Sequence, residues 1–352
     1  IVNEGFNLFL KEMMIIKQLC NKQDALLVSA TPNLWFTEKV LEVERSDIIN
    51  CPSFNKQHYT FTFPEYENGV DDPFLIPRTG KTLVITNTAK AAQLSFIRNK
   101  NSEKALLFHS KYSAKDKQGV FASVMENFGK GARTPIDVLR SSPVTQAALN
   151  ISAEQLVTEI TSAENWCQRL GRLDRFGEGF KNEMCTPIPL LIKELKKGSN
   201  NCPTSRFLSA MKQRESAFAW VDFIRSALGD GKAHALSEVY QCYQDFYNAA
   251  ENQIALENDM MKVLNASVLA IEKMNYSPVQ YPKNKKVTDT KEKIAKVSLR
   301  GASCHVKVGM FDIAEIGSGV ISAYKYLNEP LTLSRQEIRG FSGKEKDLIE
   351  FM

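Results

Sequence analysis

Apolar positions near the start of the chain fall at helical spacing, with Phe6, Phe9, Met13, Ile16 and Leu19 on one face, which predicts a helix. It leads into an apolar strand, Ala25-Leu26-Leu27-Val28. In the Pro-punctuated passage that follows, Tyr59-Thr60-Phe61-Thr62-Phe63 alternates with a period of two before Pro73 and Pro77, predicting a strand or hairpin. From Lys81 to about Leu195 the character changes. Buried-type strands at Leu83-Val84-Ile85-Thr86, Ala105-Leu106-Leu107-Phe108, Asp137-Val138-Leu139 and Leu156-Val157-Thr158 alternate with helical patterns, clearest at about 89–99 and 115–128. That succession predicts an α/β fold with a doubly wound parallel sheet flanked by helices. Beyond Pro203 the pattern is helical, with Phe218, Val221, Ile224 and Leu228 on one face. Two strand-like pieces near Val297 and Val306 follow a lysine-rich stretch.

Composition narrows the class without fixing it. The 352 residues are 43% hydrophobic and 24% charged, a globular balance rather than a disordered one, and the length suits about two or three domains. A formal net charge of +5 permits a nucleic-acid partner without demanding one. Seven cysteines, at 20, 51, 167, 185, 202, 242 and 304, include no CxxC pair, so they read as reduced thiols of a cytoplasmic protein. The four histidines build no zinc site. No apolar run reaches the roughly 18 residues of a membrane span. The start at Ile1, without Met or a signal pattern, suggests a fragment.

The segment richest in chemistry is Gln168-Arg169-Leu170-Gly171-Arg172-Leu173-Asp174-Arg175. On a continuous helix Arg172 and Arg175, three apart, project from one face. Two guanidinium forks there could clamp phosphate oxygens in a transition state, and Gln168 on the same face could hold the attacking water. Thr161-Ser162-Ala163-Glu164 fits a capping box at the helix start. Gly171 would let another backbone approach closely. The bland alternative for two arginines is a solvated basic turn; the full spacing argues against it.

Gln168–Arg175 resembles motif VI of superfamily 2 helicases, and further motif-like segments precede it in order. Ser29-Ala30-Thr31 resembles motif III, which implies coupling between two lobes. Val84-Ile85-Thr86-Asn87-Thr88 resembles motif IV, Leu107-Phe108-His109-Ser110-Lys111 a backbone-contacting motif, and Thr145-Gln146-Ala147-Ala148-Leu149-Asn150-Ile151 motif V. Each falls at the C-terminal end of a predicted strand, where doubly wound sheets bind ligands. Thr145-Gln146 and the run from Thr158 to Glu178 most resemble the CRISPR-associated helicase of type I interference systems. The likeness is good over roughly 25–180 and loose elsewhere.

The resemblance implies a RecA-like sheet followed by a mainly helical accessory domain. It also implies ATP-driven 3′-to-5′ translocation on single-stranded DNA after recruitment to a guide-RNA surveillance complex. ATP with Mg2+ would be held mainly by a first lobe, with Gln168, Arg172 and Arg175 acting on it and Gly171 and Asn150 beside it. Asn150 stands where that family usually has Asp. A histidine–aspartate nuclease domain is absent from the sequence; in some subtypes of that family the nuclease is a separate subunit, and whether one is attached here stays open.

Thr86, Asn87, His109, Ser110, Thr145 and Gln146 are short polar groups at strand ends, suited to phosphate oxygens without base reading. Lys111 adds a charge that would make binding salt-dependent. Each alone is an ordinary turn or cap residue. Trp166 reads as core, and the lysines from Lys283 to Lys296, broken by Asp289 and Glu292, as a solvated linker rather than a DNA-binding tail. Gly80-Lys81-Thr82 mimics the end of a phosphate-binding loop, but position 75 is Leu and a strand follows. It therefore reads as a turn entering that strand. Without such a loop or a DExH box, the chain alone is expected to hydrolyse no ATP. The expected organisation is the end of a first lobe (1–35), a connecting segment (36–79), the second lobe (80–197) and an accessory domain (198–352). An RNA helicase and a non-catalytic binding lobe stay open as alternatives.

Overall fold

Strands that are apolar on both faces need cover on both sides, and the arrangement of elements supplies it. In a computed structural model, the described residues are 26, 28–49, 56–66, 72–112, 114–132, 135–146, 149–189 and 203–272. The elements are α1 (Leu34–Lys39), β1 (His58–Thr62), β2 (Glu65–Tyr66), β3 (Thr82–Ile85), α2 (Ala89–Asn99), β4 (Ala105–Phe108), α3 (Ala114–Phe128), β5 (Val138–Ser141), β6 (Gln155–Thr158), α4 (Ala163–Leu170), β7 (Glu183–Cys185), β8 (Ile188–Pro189), α5 (Pro203–Ala210), α6 (Arg214–Leu228), β9 (Ala233–Ala235), α7 (Leu236–Asn248) and α8 (Ala250–Glu272). Seven strands form one sheet in the order β4-β5-β3-β6-β7-β1-β9. All neighbours in it are parallel except β9, which runs antiparallel to β1. The fold is thus α/β, with a mostly parallel sheet flanked by helices and a helical region following.

Period-two alternation divides the core. Val84, Val138 and Val157 pack with Tyr66 and Phe74, while Leu107 meets Ala92 and Phe96 of α2. Leu83, Ile85, Leu106, Phe108, Leu139 and Leu156 point the other way, into a cluster with Val120, Val124 and Phe128 of α3, Trp166 of α4 and Trp220 of α6. Leu83, Val84 and Ile85 are each 0% exposed, and burying such a side chain stabilises by about 1.5–3 kcal/mol.

Two strands from outside the expected second lobe, β1 and β9, join its sheet. β1 lies within the connecting segment, yet pairs in register with β7, Thr60 opposite Glu183 and Thr62 opposite Cys185. Its Tyr59 and Phe61 are buried in the core of the sheet. β9 extends the same sheet, with Tyr59 opposite His234. Trp220 of α6 and Phe246 of α7 pack edge-on at 5.0 Å, and Trp220 packs edge-on to Trp166 at 5.6 Å. Described residues up to Leu256 of α8 therefore share the sheet's main core. The physical reason is that an alternating strand such as β1 needs a hydrogen-bonding neighbour, and β7 offers one.

The strand expected at 25–28 is not formed by its described residues. Leu26 and Val28 are 81% and 85% exposed and pair with no strand in either sheet. An apolar strand without a neighbour has nothing to hold it extended. The early helix, the strand-like pieces near Val297 and Val306, and the lysine run lie outside the described residues. Gly80 takes a left-handed φ of 76° and Lys81 donates from Nζ to the carbonyls of Asn127 (2.7 Å) and Ile136 (2.8 Å). This segment is indeed a turn entering β3. No described helix is long and apolar enough to cross a membrane.

Candidate functional site

Because β3, β4, β5 and β6 run parallel, the loops leaving their C-terminal ends gather on one edge of the sheet. Thr86 and Asn87 follow β3, His109–Lys111 follow β4, Ser142–Gln146 follow β5, and Glu159 and Ile160 follow β6. The helix α4 lies behind these loops, and its side chains stitch them together.

The stitch is Arg169, a residue the sequence reading quoted but gave no role. It is 1% exposed. Its Nε donates to Gln146 Oε1 at 3.0 Å, one terminal nitrogen to Thr158 Oγ1 at 2.6 Å and the Glu159 carbonyl at 3.3 Å, and the other to Asn87 Oδ1 at 2.9 Å. Burial brings its pKa down to about 10, opposed by the nearby Glu159 charge. Glu159, buried as well, accepts the backbone N–H of Asn87 and the hydroxyl of Thr204 on α5 at 3.3 Å; desolvation raises its pKa. Asn87 also donates to the Ile160 carbonyl at 2.8 Å, and Gln146 to Asn165 Oδ1 at 2.9 Å. One signal was present in the sequence: an arginine between a Gln and an apolar Leu, on the inner face of a short helix, has to find acceptors.

The arginine pair departs from the expected geometry. α4 ends at Leu170, with Gly171 as its C-cap, so Arg172 and Arg175 are carried by turns and not by one helical face. Arg172 is 6% exposed and donates to the carbonyls of Thr145 (3.2 Å) and Gln146 (2.7 Å). Arg175 is exposed and reaches the Gly171 carbonyl at 3.1 Å. Asp174 between them holds a left-handed φ of 39°, while its carboxylate accepts the N–H groups of Glu178 (2.7 Å) and Gly179 (3.2 Å). That turn separates the two guanidiniums. They still feel each other: burial first, then Arg175, lower the Arg172 pKa to about 10. Among the described residues neither arginine forms an ion pair with a carboxylate.

Two further expectations are corrected. The capping box is not made: Ser162 is the N-cap without a side-chain bond, and its buried Oγ has no partner. Glu164 is recruited instead by tertiary partners, accepting from Asn33 Nδ2 and, at 2.7 Å, from the Tyr247 hydroxyl. Gly171 is not needed for close backbone approach, since an added Cβ would meet only Gln168 O at 3.5 Å and Cys167 O at 3.7 Å.

Gln168 donates to Thr31 Oγ1 at 3.3 Å, joining the first motif-like segment to the last across 137 positions. Thr31 is buried, while Ser29 and Ala30 are exposed; the Ser29 hydroxyl accepts the Thr31 N–H at 3.2 Å. Of the strand-end polar groups, Thr86, Asn87, His109, Thr145 and Gln146 are at most 6% exposed. Their side chains are engaged internally: Thr86 with the carbonyl of Thr88 (3.0 Å) and Thr145 with Ser141 Oγ (2.6 Å). His109 stacks on Tyr112 at 4.1 Å and accepts the Lys111 N–H on Nδ1 at 3.2 Å. Its other ring nitrogen faces Nε2 of the Gln93 side chain at 3.0 Å. Burial pushes its pKa down to about 3, so it is neutral. What the edge offers to a ligand is Ser110, Lys111 and Asn150, all exposed. Trp166 is core, donating to Thr186 Oγ1 at 3.1 Å.

Residues 78–178 match the family model for the C-terminal part of the CRISPR-associated nuclease/helicase Cas3. A protein of Myxococcus xanthus (strain DK1622) described as a CRISPR-associated nuclease/helicase Cas3 is 28% identical over 121 residues, which is 32% of this chain and 16% of that protein. The crystal structure of T. fusca Cas3 with ATP superimposes with a TM-score of 0.50 at 16% identity, over 64% of this chain and 28% of the other. A crystal structure of a CRISPR-associated protein gives a TM-score of 0.50 at 15% identity, over 70% and 31%. The chain thus spans less than a third of each of these relatives. Together they support the likeness drawn from the motifs, which is to the C-terminal half of a Cas3-like superfamily 2 helicase.

Proposed function

We propose that this chain is the second-lobe half of an ATP-driven motor that moves on single-stranded DNA in type I CRISPR interference, recruited by a guide-RNA surveillance complex. A separate nuclease subunit would cut the strand it exposes. One observation carries the reading. Gln168 reaches Thr31 at 3.3 Å, while Arg172 and Arg175, parted by the turn at Asp174 but near enough for Arg175 to lower the Arg172 pKa, pair with no carboxylate among the described residues. Two uncompensated guanidiniums beside a glutamine amide suit a polyanion, and the chemistry of this donor set fits the phosphates of ATP with Mg2+. The nucleotide supplies the bond whose cleavage drives movement.

In this reading Gln168, fixed by Thr31, orients the attacking water, and Arg175 reaches the phosphates directly. Arg172 must first release two carbonyls, at a cost of about 1.5–3 kcal/mol each because the donor is charged. Gly171 lies beside the phosphates and Asn150 beside the nucleotide; Ser29 and Ala30 face the first lobe. On the opposite loops, Lys111 and Ser110 contact the DNA backbone. Thr86, Asn87, His109, Thr145 and Gln146 shape the track through the backbone groups they hold. Domain limits follow the motifs: first-lobe tail to about 35, second lobe from 80 to about 197 with β1 and β9 added to its sheet, accessory region beyond. The chain by itself hydrolyses no ATP, because the phosphate loop and metal-holding acid belong to the first lobe.

The test is ATPase activity of the full-length parent protein with single-stranded DNA or RNA, wild type against Arg172→Ala. DNA-stimulated turnover that falls by roughly 10³-fold or more in the variant supports a DNA motor with an arginine finger from this half. Stimulation by RNA alone moves it to the RNA helicases. Turnover indifferent to the substitution sinks the assignment of Arg172 and favours a lobe that only docks on a partner.

A further inference from the structure

A buried guanidinium with four acceptors in three separate segments is an organising centre, and Arg169 is placed between the arginine turn and the loops of the edge. Its fork holds Gln146 after β5 at 3.0 Å and Asn87 after β3 at 2.9 Å, while Thr158 Oγ1 at 2.6 Å anchors it to β6. It also sits three residues before Arg172, whose own guanidinium rests on the Thr145 and Gln146 carbonyls. The loop at 145–146 is thereby gripped twice from one short stretch of chain, and the loop at 86–87 once. Glu159 adds the balancing charge and hands the same network to Thr204 of α5. Arg169 is 1% exposed, so no phosphate reaches it.

We propose that Arg169 is a positioning residue that fixes the loops after β3 and β5 in the register needed to grip a single-stranded nucleic-acid backbone, without touching that backbone itself. This rests on the reading of the edge as a nucleic-acid track and adds to it the residue that sets the track's shape. A lysine keeps the charge opposite Glu159, but has one nitrogen and cannot span Gln146, Thr158 and Asn87 together.

The experiment is the salt dependence of binding of a fluorescent single-stranded oligothymidine to the full-length parent protein. Wild type, Arg169→Lys, Arg169→Gln and Lys111→Ala are compared below their melting temperatures. For Arg169→Lys the expected result is binding weakened roughly 10-fold, the loss of about one charged hydrogen bond, with an unchanged slope of log affinity against log salt. Lys111→Ala, which removes a phosphate contact, lowers that slope by about 0.7. If Arg169→Lys does not fold, Thr158→Val removes the anchor on the sheet, together with the hydroxyl's bond to the Glu159 carbonyl, and is expected to weaken binding about threefold, again at constant slope. Wild-type affinity in a folded Arg169→Lys or Thr158→Val protein overturns the proposal. So does a lowered slope in a folded Arg169→Gln protein, which loses the charge that Arg169→Lys keeps; that result would make Arg169 a phosphate ligand. Absence of binding by the wild type would instead overturn the reading of the edge, and the proposal with it.

Discussion

Replacing Glu103 by glutamine should destabilise the fold by about 3–5 kcal/mol, although neither Glu103 nor its partner belongs to the candidate site. Arg140 occupies the middle of β5 with its side chain 0% exposed, and Glu103 beside it is 1% exposed. The guanidinium bonds both carboxylate oxygens, Nε to Oε1 and a terminal nitrogen to Oε2 at 2.8 Å. It also donates to the carbonyls of Phe74 (2.5 Å) and Ile76 (3.0 Å) and to Ser95 Oγ. Oε2 accepts, in addition, the backbone N–H of Arg78 at 3.0 Å. A glutamine can preserve one oxygen, but its NH2 then opposes an arginine N–H. That forfeits a charge-assisted bond of about 1.5–3 kcal/mol and leaves a buried cation without its anion, for a total of about 3–5 kcal/mol. In urea unfolding of the 352-residue chain, a slope of about 3 kcal/mol per M turns that into a midpoint lowered by about 1 M or more. The double variant Arg140→Met/Glu103→Met should cost less than its two single changes added together, since no lone charge is left. It should not recover fully, because the Phe74 and Ile76 carbonyls lose their donor. A midpoint shift below about 0.3 M for Glu103→Gln would refute the reasoning, since it would mean that water solvates the pair.

Other outcomes are equally specific. Gly171→Ala should fold with stability within about 1 kcal/mol of wild type, because φ is −62° and the new methyl meets only ordinary contacts; a melting curve checks this, and a large loss would reveal a hidden clash. His109 is neutral in the fold, with a pKa of about 3 against an ordinary 6.5. The stability it allows is whole above pH 6.5 and drains as pH falls toward 3, at up to about 1.4 kcal/mol per unit. His109→Gln should flatten that acid limb in pH-dependent unfolding, and an unchanged limb would count against the burial. Burial also raises the thiol of Cys167 and takes that of Cys242 up to about 12, so both stay protonated at pH 8. Peptide mapping after alkylation should find them unlabelled until denaturant is added; rapid labelling of the native chain would contradict the packing around α4 and α7.

The parallel strands were legible because they are buried on both faces and bounded by turns. β4 occupies 105–108 and α2 occupies 89–99, as the pattern of apolar positions predicts, and β3, β5 and β6 differ from it by one or two residues. Ranges without internal pairing information were harder. The alternation at 59–63 announces a strand, but nothing in that stretch says it will lie beside 183–185 or receive 233–235 on its far side. Spacing rules placed Arg172 and Arg175 on a continuous helix; the chain ends that helix at Leu170 and turns at Asp174. Local capping rules gave Glu164 to its own helix, whereas Tyr247, distant in sequence, takes it. Arg169 escaped notice since its partners, Asn87, Gln146 and Thr158, converge only after the sheet is assembled.

The placement of β1 also bears on how the molecule is made. Asn182, at the entry to β7, bonds the His58 carbonyl across 124 positions, and β9 comes later still. A ribosome adding roughly 5–20 residues per second needs about 6–25 s to deliver β7 after β1 has been made. During that interval an alternating His-Tyr-Thr-Phe-Thr segment has neither of its hydrogen-bonding neighbours. Such a segment is a template for pairing with other nascent chains. Slowed synthesis between β1 and β7 should therefore lower the yield of soluble protein, and a chaperone that shelters this one strand should restore it.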